Sequence, residues 1–169
     1  MAPAPPTTVQ AACALALAWL AGRDLSAAEI QLRLRQRGCP DNIAHGAVEH
    51  LRLTGAIDDE RVAMSRARIE SALRGRGRER VLLRLRSSGI DPETAKKAVD
   101  AVFRDIDQDA LLERALARRL KPPGALIRTP AEYRSLFAAL VRQGFAPAAI
   151  RRLLDARRAR TPDLWPADD

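Results

Sequence analysis

Apolar residues recur along this chain in short amphipathic segments, with little sign of strands. The segments are bounded by residues that begin and end helices. Thr7 with Gln10, and Ser26 with Glu29, have the spacing of a capping box, in which each side chain satisfies a backbone N–H at the helix start. The pattern predicts about nine helices, near residues 8–21, 26–37, 40–54, 59–74, 78–87, 92–104, 108–120, 130–142 and 147–159.

Three of the predicted helix stops mark an internal repeat. They are Gly38, Gly89 and Gly144. Apolar residues stand four and eight positions before each glycine, and a proline follows each glycine within three positions: Leu34, Leu85 and Leu140; Ile30, Val81 and Leu136; Pro40, Pro92 and Pro147. A helix, a glycine turn and a second helix thus occur three times. This predicts an all-α fold of three tandem three-helix repeats, helix-turn-helix-like and elongated. We expect repeats at 7–56, 57–106 and 107–160, between a flexible Pro-rich tail at 1–6 and a flexible tail at 161–169.

The charge is distributed in blocks. The 169 residues carry a formal net charge of +8, with 29 Lys+Arg against 21 Asp+Glu. Residues 61–90 hold nine arginines against two glutamates, and residues 114–160 hold twelve basic residues against two acidic ones. Such blocks favour a polyanionic partner such as nucleic acid. A bland basic surface is the alternative, because 26 of the 29 basic residues are arginine, a bias that codon usage in a GC-rich genome produces by itself.

Cysteine content and hydropathy indicate the compartment. Cys13 and Cys39 are too few for a disulfide framework, and they lack the nearby Cys and His partners of a zinc site. The apolar run 9–21 is shorter than the roughly 20 residues that span a bilayer. A signal peptide has basic residues before its apolar stretch, and no basic residue precedes this run. We therefore expect a cytoplasmic protein with no membrane association.

No pattern of catalytic residues is present. His45 and His50 are five residues apart and share no helix face, so they do not form a metal pair. The acidic run Asp58–Glu60 is accounted for by the preference of helix N-termini for negative charge. The chain has no Walker motif and no nucleophile elbow. We expect no enzymatic activity, no metal and no cofactor.

The first basic block offers candidate phosphate contacts. Val62, Ile69 and Leu73 form a narrow apolar stripe, and Arg66 falls inside it, which predicts that its head snorkels or pairs with Asp58 or Asp59. The segment 74–80 then joins two helices. Its two glycines allow the backbone to approach a partner closely, and the next helix start attracts anions. This favours a phosphate-contacting hinge over the alternative, a solvated basic linker.

The second basic block ends in a predicted helix whose buried side is Ile150, Leu153 and Leu154. Arg151 and Arg158 share the adjacent exposed face, while Arg152 points away from it. Aromatic residues make up only 4% of the chain, and most stand where a core would take them. Recognition of single strands by base stacking is therefore poorly supported.

Several short motifs in order carry a family resemblance. In chain order they are Arg23–Ile30, then Gly55–Asp59 followed by Ala63, Arg68, Gly75–Gly77 and Val81, then Gly89–Ile90 and Arg142–Phe145. Over roughly residues 11 to 158 the chain resembles the bacterial RecX family of recombination regulators. It departs from the family pattern at Ala56 and Val62, where members often have aromatic residues, and in the segment 121–124.

The resemblance implies a small all-helical regulator, not an enzyme. Members bind the RecA recombinase and its nucleoprotein filament, and they dampen strand exchange, ATP hydrolysis and the SOS response. We expect a monomer that contacts RecA and single-stranded DNA, with double-stranded DNA as a further partner, and that lies along the filament groove. The expected contact residues are Arg66, Arg68, Arg74, Arg76, Arg78, Arg80, Arg84, Arg142, Arg151, Arg152 and Arg158.

Two alternatives stay open. A general DNA-binding helix-turn-helix module or transcriptional regulator would read a specific duplex site and bind as a dimer. Polar side chains that read bases are few, and Asn42 is the only asparagine, which counts against this alternative. A purely structural adaptor would show no salt-dependent binding to DNA.

Overall fold

The structure, a computed structural model, describes residues 4–122 and 124–159. These residues form nine α-helices and no strand, apart from an isolated bridge between Ile127 and Arg158, and this confirms the predicted all-α fold. The helices are α1 (Val9–Leu20), α2 (Ala27–Gln36), α3 (Asp41–Leu53), α4 (Asp59–Arg68), α5 (Arg78–Ser87), α6 (Pro92–Phe103), α7 (Gln108–Ala117), α8 (Pro130–Arg142) and α9 (Pro147–Ala156). The predicted tail 161–169 lies outside the described residues.

The described residues fall into two compact units. The first takes in the chain up to Arg66 together with Arg84–Ala98, and the second takes in Ala67–Leu83 together with the described residues from Val99 onward. In the first unit α1, α2 and α3 pack on one another, and in the second α7, α8 and α9 do the same. The unit boundaries divide the predicted middle repeat, 57–106, and the repeat boundaries themselves stay a prediction.

Most helix starts follow the predicted local signals. Ser26 caps α2 in a capping box, in which Ser26 Oγ accepts a hydrogen bond from Glu29 N and Glu29 Oε2 accepts one from Ser26 N. At α1 the predicted capping residue is wrong by one position, because Thr8 Oγ1 accepts the hydrogen bond, at 3.2 Å from Ala11 N. In the predicted flexible tail, Pro6 is buried, and Pro5 lies against Gly38.

A glycine turn in the first unit packs against the start of α2. A Cβ placed on Gly89 would lie 2.3 Å from Ala28 Cβ, which leaves no room for any side chain. Beside it, Ser26 Oγ donates a hydrogen bond of 2.6 Å to the carbonyl oxygen of Ser88. The hydroxyl that caps α2 therefore also fixes this turn.

A second glycine turn, in the second unit, packs against the start of α5. Gly77 N donates to Gln143 O at 2.9 Å, and Glu79 N donates to Gly144 O at 3.2 Å. A Cβ on Gly77 would lie 2.4 Å from Gly144 O, and one on Gly144 would lie 2.2 Å from Arg80 N. Gly77 therefore allows a close approach to the backbone of Gly144 in the same chain. The expectation that Gly77 lets the backbone approach a binding partner was wrong.

The two turn contacts are equivalent in the predicted repeat. Ser26 stands twelve residues before Gly38, and Gly77 stands twelve residues before Gly89. Each donates a hydrogen bond to the carbonyl immediately before the next repeat glycine. A recurring contact of this kind is what an internal repeat requires, and it supports the alignment of the three glycines.

A π-helical turn, Ile69–Leu73, follows α4 and changes which residues face inward. Arg74 N donates to Ile69 O, five residues earlier, at 3.2 Å. The extra residue rotates the following side chains away from the α-helical register. Glu70 and Ser71 are consequently buried, whereas Ile69 is 42% exposed and Leu73 is 75% exposed. The predicted apolar stripe through Ile69 and Leu73 is therefore wrong beyond Arg68.

We expect Gly144→Ala to destabilise the protein strongly. The φ of Gly144 is +89°, and its new Cβ would lie 2.2 Å from Arg80 N. Backbone strain in this region costs roughly 1–3 kcal/mol and overpacking costs a similar amount, so the free energy of unfolding should fall by roughly 2–6 kcal/mol. Urea denaturation followed by circular dichroism measures this difference.

Gly55→Ala is the matched control for this experiment. Gly55 has a φ of +71°, but a Cβ there meets nothing within 4 Å. It carries the backbone strain alone, about 1–2 kcal/mol. Equal losses in the two variants would show that the close contact at Gly144 adds nothing to stability.

Candidate nucleic-acid interface

The structure separates the eleven arginines that the sequence analysis selected. Arg66 and Arg84 belong to the first unit. The other nine belong to the second unit: Arg68, Arg74, Arg76, Arg78, Arg80, Arg142, Arg151, Arg152 and Arg158. They differ in whether a carboxylate in the described residues already pairs with them.

Arg66 forms a bidentate ion pair with Glu29. The distances are 3.1 Å from Nη1 to Oε1 and 2.6 Å from Nη2 to Oε2, and Nη2 also donates to the carbonyl of Asp24 at 3.0 Å. Both side chains are mostly buried. The predicted partners Asp58 and Asp59 are wrong because they serve helix starts: Asp58 accepts from Arg61 N, and Asp59 accepts from Ala27 N.

The environment of Glu29 favours its ionised form. Burial raises the pKa of the carboxyl, but the hydrogen bonds from Arg66 and from Ser26 N, together with the charge of Arg66, outweigh burial. The pKa of Glu29 therefore lies below its ordinary value. Glu29 therefore has two roles: it accepts a hydrogen bond at the start of α2, and it binds the guanidinium group of Arg66.

Glu70 is a buried carboxylate, 5% exposed, that the π-helical turn directs inward. Its Oε1 lies 2.7 Å from Arg74 Nη1, and its Oε2 lies 3.1 Å from Arg76 Nε. Burying a lone carboxylate costs several kcal/mol, so these two guanidinium groups are required where they stand. Neighbouring Ser71 is satisfied by donating its hydroxyl to Ala67 O at 2.8 Å.

Residues distant in sequence meet at the second glycine turn. Arg142 and Gln143, at the end of α8, line one pocket with three arginines of the hinge segment. Those three are Arg74, Arg76 and Arg80. The two predicted sets of contacts, one from each basic block, are therefore joined here within the second unit.

Four of the remaining arginines interact with side chains of the second unit. Arg78 pairs with Asp100, and Arg152 pairs with Asp109 at 3.5 Å. Arg151 lies over the ring of Phe137, 5.5 Å from its centroid. Arg158 lies over the ring of Tyr133 and pairs with Asp155 at 3.7 Å. Phe137 and Tyr133 are thus occupied by arginines, which agrees with the poor prospect for base stacking.

The exposed arginines without an ion pair are the strongest candidates for contacts with a polyanion. Among the described residues, no carboxylate pairs with Arg68, Arg80, Arg84, Arg142 or Arg151. All five are exposed. An anion that binds them displaces water and displaces no existing ion pair.

Other chemistry has little support in the described part of the chain. No group of three or more metal-binding side chains comes together there. Cys13 and Cys39 are free and buried, and burial raises the pKa of both thiols, with the charge of Asp41 adding to the effect at Cys39. None of the helices in these residues is long and apolar enough to cross a bilayer.

Glu29 and Glu70 position candidate arginines. Neither was predicted from the sequence to have this role. Glu29 was recognised only as part of a capping box. Glu70 can be noticed in the sequence. It is the only acidic residue in the segment from Arg61 to Arg78, which contains six arginines and has two glycines near its end. An isolated acid inside a basic block marks a site where the charges are paired.

These features define the class: an all-helical protein made of three-helix groups, with an arginine-rich surface in its second unit. The family model for "RecX, first three-helix domain" matches residues 12–51. The regulatory protein RecX of Mycolicibacterium vanbaalenii is 34% identical over 107 residues, which is 63% of this chain and 55% of that protein. The regulatory protein RecX of Thermobifida fusca is 27% identical over 151 residues, covering 89% of this chain and 80% of that protein.

Solved structures show the same fold. The crystal structure of RecX from Lactobacillus salivarius has a TM-score of 0.69 and 21% sequence identity, covering 88% of this chain and 97% of that one. The chain is therefore similar in sequence to the RecX regulatory proteins, and it has the fold of a solved RecX structure. It spans little more than half the length of the first mycobacterial relative that it matches, 55%.

We expect Glu29→Gln to destabilise the protein in a pH-dependent way. Because the folded-state pKa of Glu29 is lowered, its contribution is present above the ordinary value of 4.5 and is lost as the pH falls through the folded-state pKa. At neutral pH the variant should lose about 1–2 kcal/mol of unfolding free energy. Urea denaturation at pH 7 and at a series of pH values below 4.5 measures the difference, which should shrink in acid.

Glu49→Gln is the control for this measurement. Glu49 pairs with Arg52 at 3.2 Å in an i,i+3 arrangement on the surface of the same unit, and about half of each side chain is exposed. Such pairs contribute only about 0–1 kcal/mol. A loss in Glu29→Gln that stayed constant through the acid range would contradict the ionised role of Glu29.

Proposed function

We propose that this chain is a negative regulator of homologous recombination and of the SOS response. It binds the RecA recombinase and its nucleoprotein filament, and it thereby inhibits strand exchange and ATP hydrolysis. The observation that supports the proposal is the similarity of the chain to proteins named regulatory protein RecX, together with the match of residues 12–51 to the first three-helix domain of RecX. The role acts through binding alone, without catalysis, and the protein works in the cytoplasm as a monomer.

The distribution of arginines supports contact with the nucleic acid of the filament. Nonspecific binding to DNA is dominated by charge, because each neutralised phosphate releases condensed counterions. The second unit presents exposed, unpaired arginines at the hinge segment and near the glycine turn of residue 144. Contacts of this kind are independent of base sequence, as a regulator of a filament on any DNA requires.

The acidic segments supply a second type of contact. Residues 91–113 hold seven acidic side chains against three basic ones, between the two basic blocks. Opposite charges on adjacent stretches can meet a partner that displays both phosphates and protein surface, and such complementarity speeds association. A nucleoprotein filament is a partner of that composition.

We expect the protein to lower the DNA-dependent ATPase activity of its cognate recombinase. ATP hydrolysis on single-stranded DNA is measured while the protein is titrated, and strand exchange is measured in parallel. Both activities should fall as the protein approaches the recombinase concentration. Unchanged ATPase and strand exchange at excess protein would contradict the proposal.

A binding comparison separates this function from the general DNA-binding alternative. The protein is titrated against bare single-stranded DNA, bare duplex and recombinase-coated DNA across a salt series. We expect tightest binding to coated DNA, with a log–log salt slope of about 0.7 for each single-strand phosphate contacted. A sequence-specific footprint on duplex without recombinase would favour the helix-turn-helix regulator instead.

A further inference from the structure

The second unit has a pocket of about 390 Å³ that is lined by charged and amide side chains. Its lining is Arg74, Arg76, Arg80, Arg142 and Gln143. Four guanidinium groups around one concavity repel one another unless an anion lies among them. The lining has no apolar residue, so the pocket suits an occupant that has no apolar part at the point of contact.

The charges within the pocket are only partly balanced. Among the described residues, Glu70 is the one carboxylate that pairs with a lining arginine, and it pairs with Arg74 and Arg76. Arg80 and Arg142 are exposed and have no carboxylate partner in the described chain. One negative charge therefore faces four positive charges, and two of the three excess positive charges are on Arg80 and Arg142.

Backbone hydrogen bonds hold together the segments that carry these arginines before any ligand binds. The hydrogen bonds from Gly77 N to Gln143 O and from Glu79 N to Gly144 O attach the end of α8 to the start of α5. On the other side, the π-helical turn directs Glu70 toward Arg74 and Arg76. Preorganisation of this kind reduces the ordering cost of binding.

Gln143 brings an amide side chain to the lining of the pocket. Its side-chain Oε1 is buried and has no hydrogen-bond partner among the described residues. Buried polar atoms are normally satisfied, so this atom indicates an absent partner or the opposite orientation of the amide. The amide also carries an NH₂ group, a donor that suits an anion in the pocket that Gln143 lines.

We propose that this pocket binds one phosphate group of a nucleic-acid backbone. Guanidinium groups match phosphate oxygens with paired N–H donors, and the Gln143 amide adds a neutral donor. A carboxylate of an acidic peptide would pair with the same guanidinium groups, and the recombinase assays below separate the two partners. The identification of the polymer as nucleic acid rests on the proposed function. Of the eleven candidate arginines, the inference selects the four that line the pocket.

The test compares two double variants of the full chain that remove the same charge. Arg80→Gln with Arg142→Gln removes the unpaired arginines of the pocket. Arg114→Gln with Arg119→Gln removes two exposed arginines of the same unit that lie outside the pocket. Binding to a labelled oligothymidylate is followed by fluorescence anisotropy across a salt series, and circular dichroism checks that both variants fold.

We expect the pocket variant to bind roughly ten-fold more weakly than wild type, the loss expected for one charge-assisted phosphate contact. Its log–log salt slope should be shallower by about 0.7, whereas the control variant should keep the wild-type slope. Equal weakening in the two variants would overturn the proposal, since only net charge would then matter. Displacement of the oligonucleotide by inorganic phosphate at matched ionic strength would overturn the assignment to a polynucleotide.

Recombinase assays with the same variants separate this inference from the proposed function. If wild type inhibits the recombinase ATPase and the pocket variant binds oligothymidylate normally, the regulatory function stands and the phosphate site is wrong. Loss of inhibition with unchanged DNA binding would assign the pocket to an acidic protein surface and would also overturn it. If the pocket variant alone loses DNA binding while wild type leaves the recombinase unaffected, the site stands and the regulatory function is wrong.

Discussion

The close approach of a glycine turn to the start of an earlier helix is the contact on which the rest of the structure depends. It occurs in both units, at Gly89 against Ala28 and at Gly144 against Arg80, and neither contact leaves room for a Cβ. Both are fixed by a hydrogen bond to the carbonyl that precedes the glycine. Because the backbones touch, the side chains on either side of the turn are brought together. Arg142 thus lines the same pocket as Arg80, although 62 positions separate them in the sequence.

The π-helical turn Ile69–Leu73 is the second determinant of the surface. One additional residue in the helical turn directs Glu70 into the interior and leaves Leu73 exposed. The cost of burying a carboxylate is offset only if cations meet it, and Arg74 and Arg76 do so. The carboxylate and its two arginines therefore form one arrangement, in which a buried acid determines where basic groups reach the surface.

The sequence predicted what is decided locally. Helix bounds agree to within three residues except at the end of α4, where the π-helical turn begins, because caps, first-turn prolines and stop glycines act over a single turn. It did not predict the π-helical turn, because an apolar stripe is calculated with a constant number of residues per turn. Nor did it predict the pairing of Arg66 with Glu29, 37 residues away, since Asp58 and Asp59 were nearer in sequence. Partners of charged side chains depend on tertiary contacts, and these leave no trace in residue spacing.

The formal charge of +8 is therefore a poor measure of what a partner meets. Six of the eleven candidate arginines pair with carboxylates of the chain, so a phosphate that binds them must compete with an existing ion pair. The five without an ion pair can pair with phosphates without breaking an ion pair of the described chain. Because phosphates are the same at every base, the phosphate contacts that we propose would select the form in which nucleic acid is presented and not its sequence. That selectivity is what distinguishes a regulator of a filament from a reader of an operator.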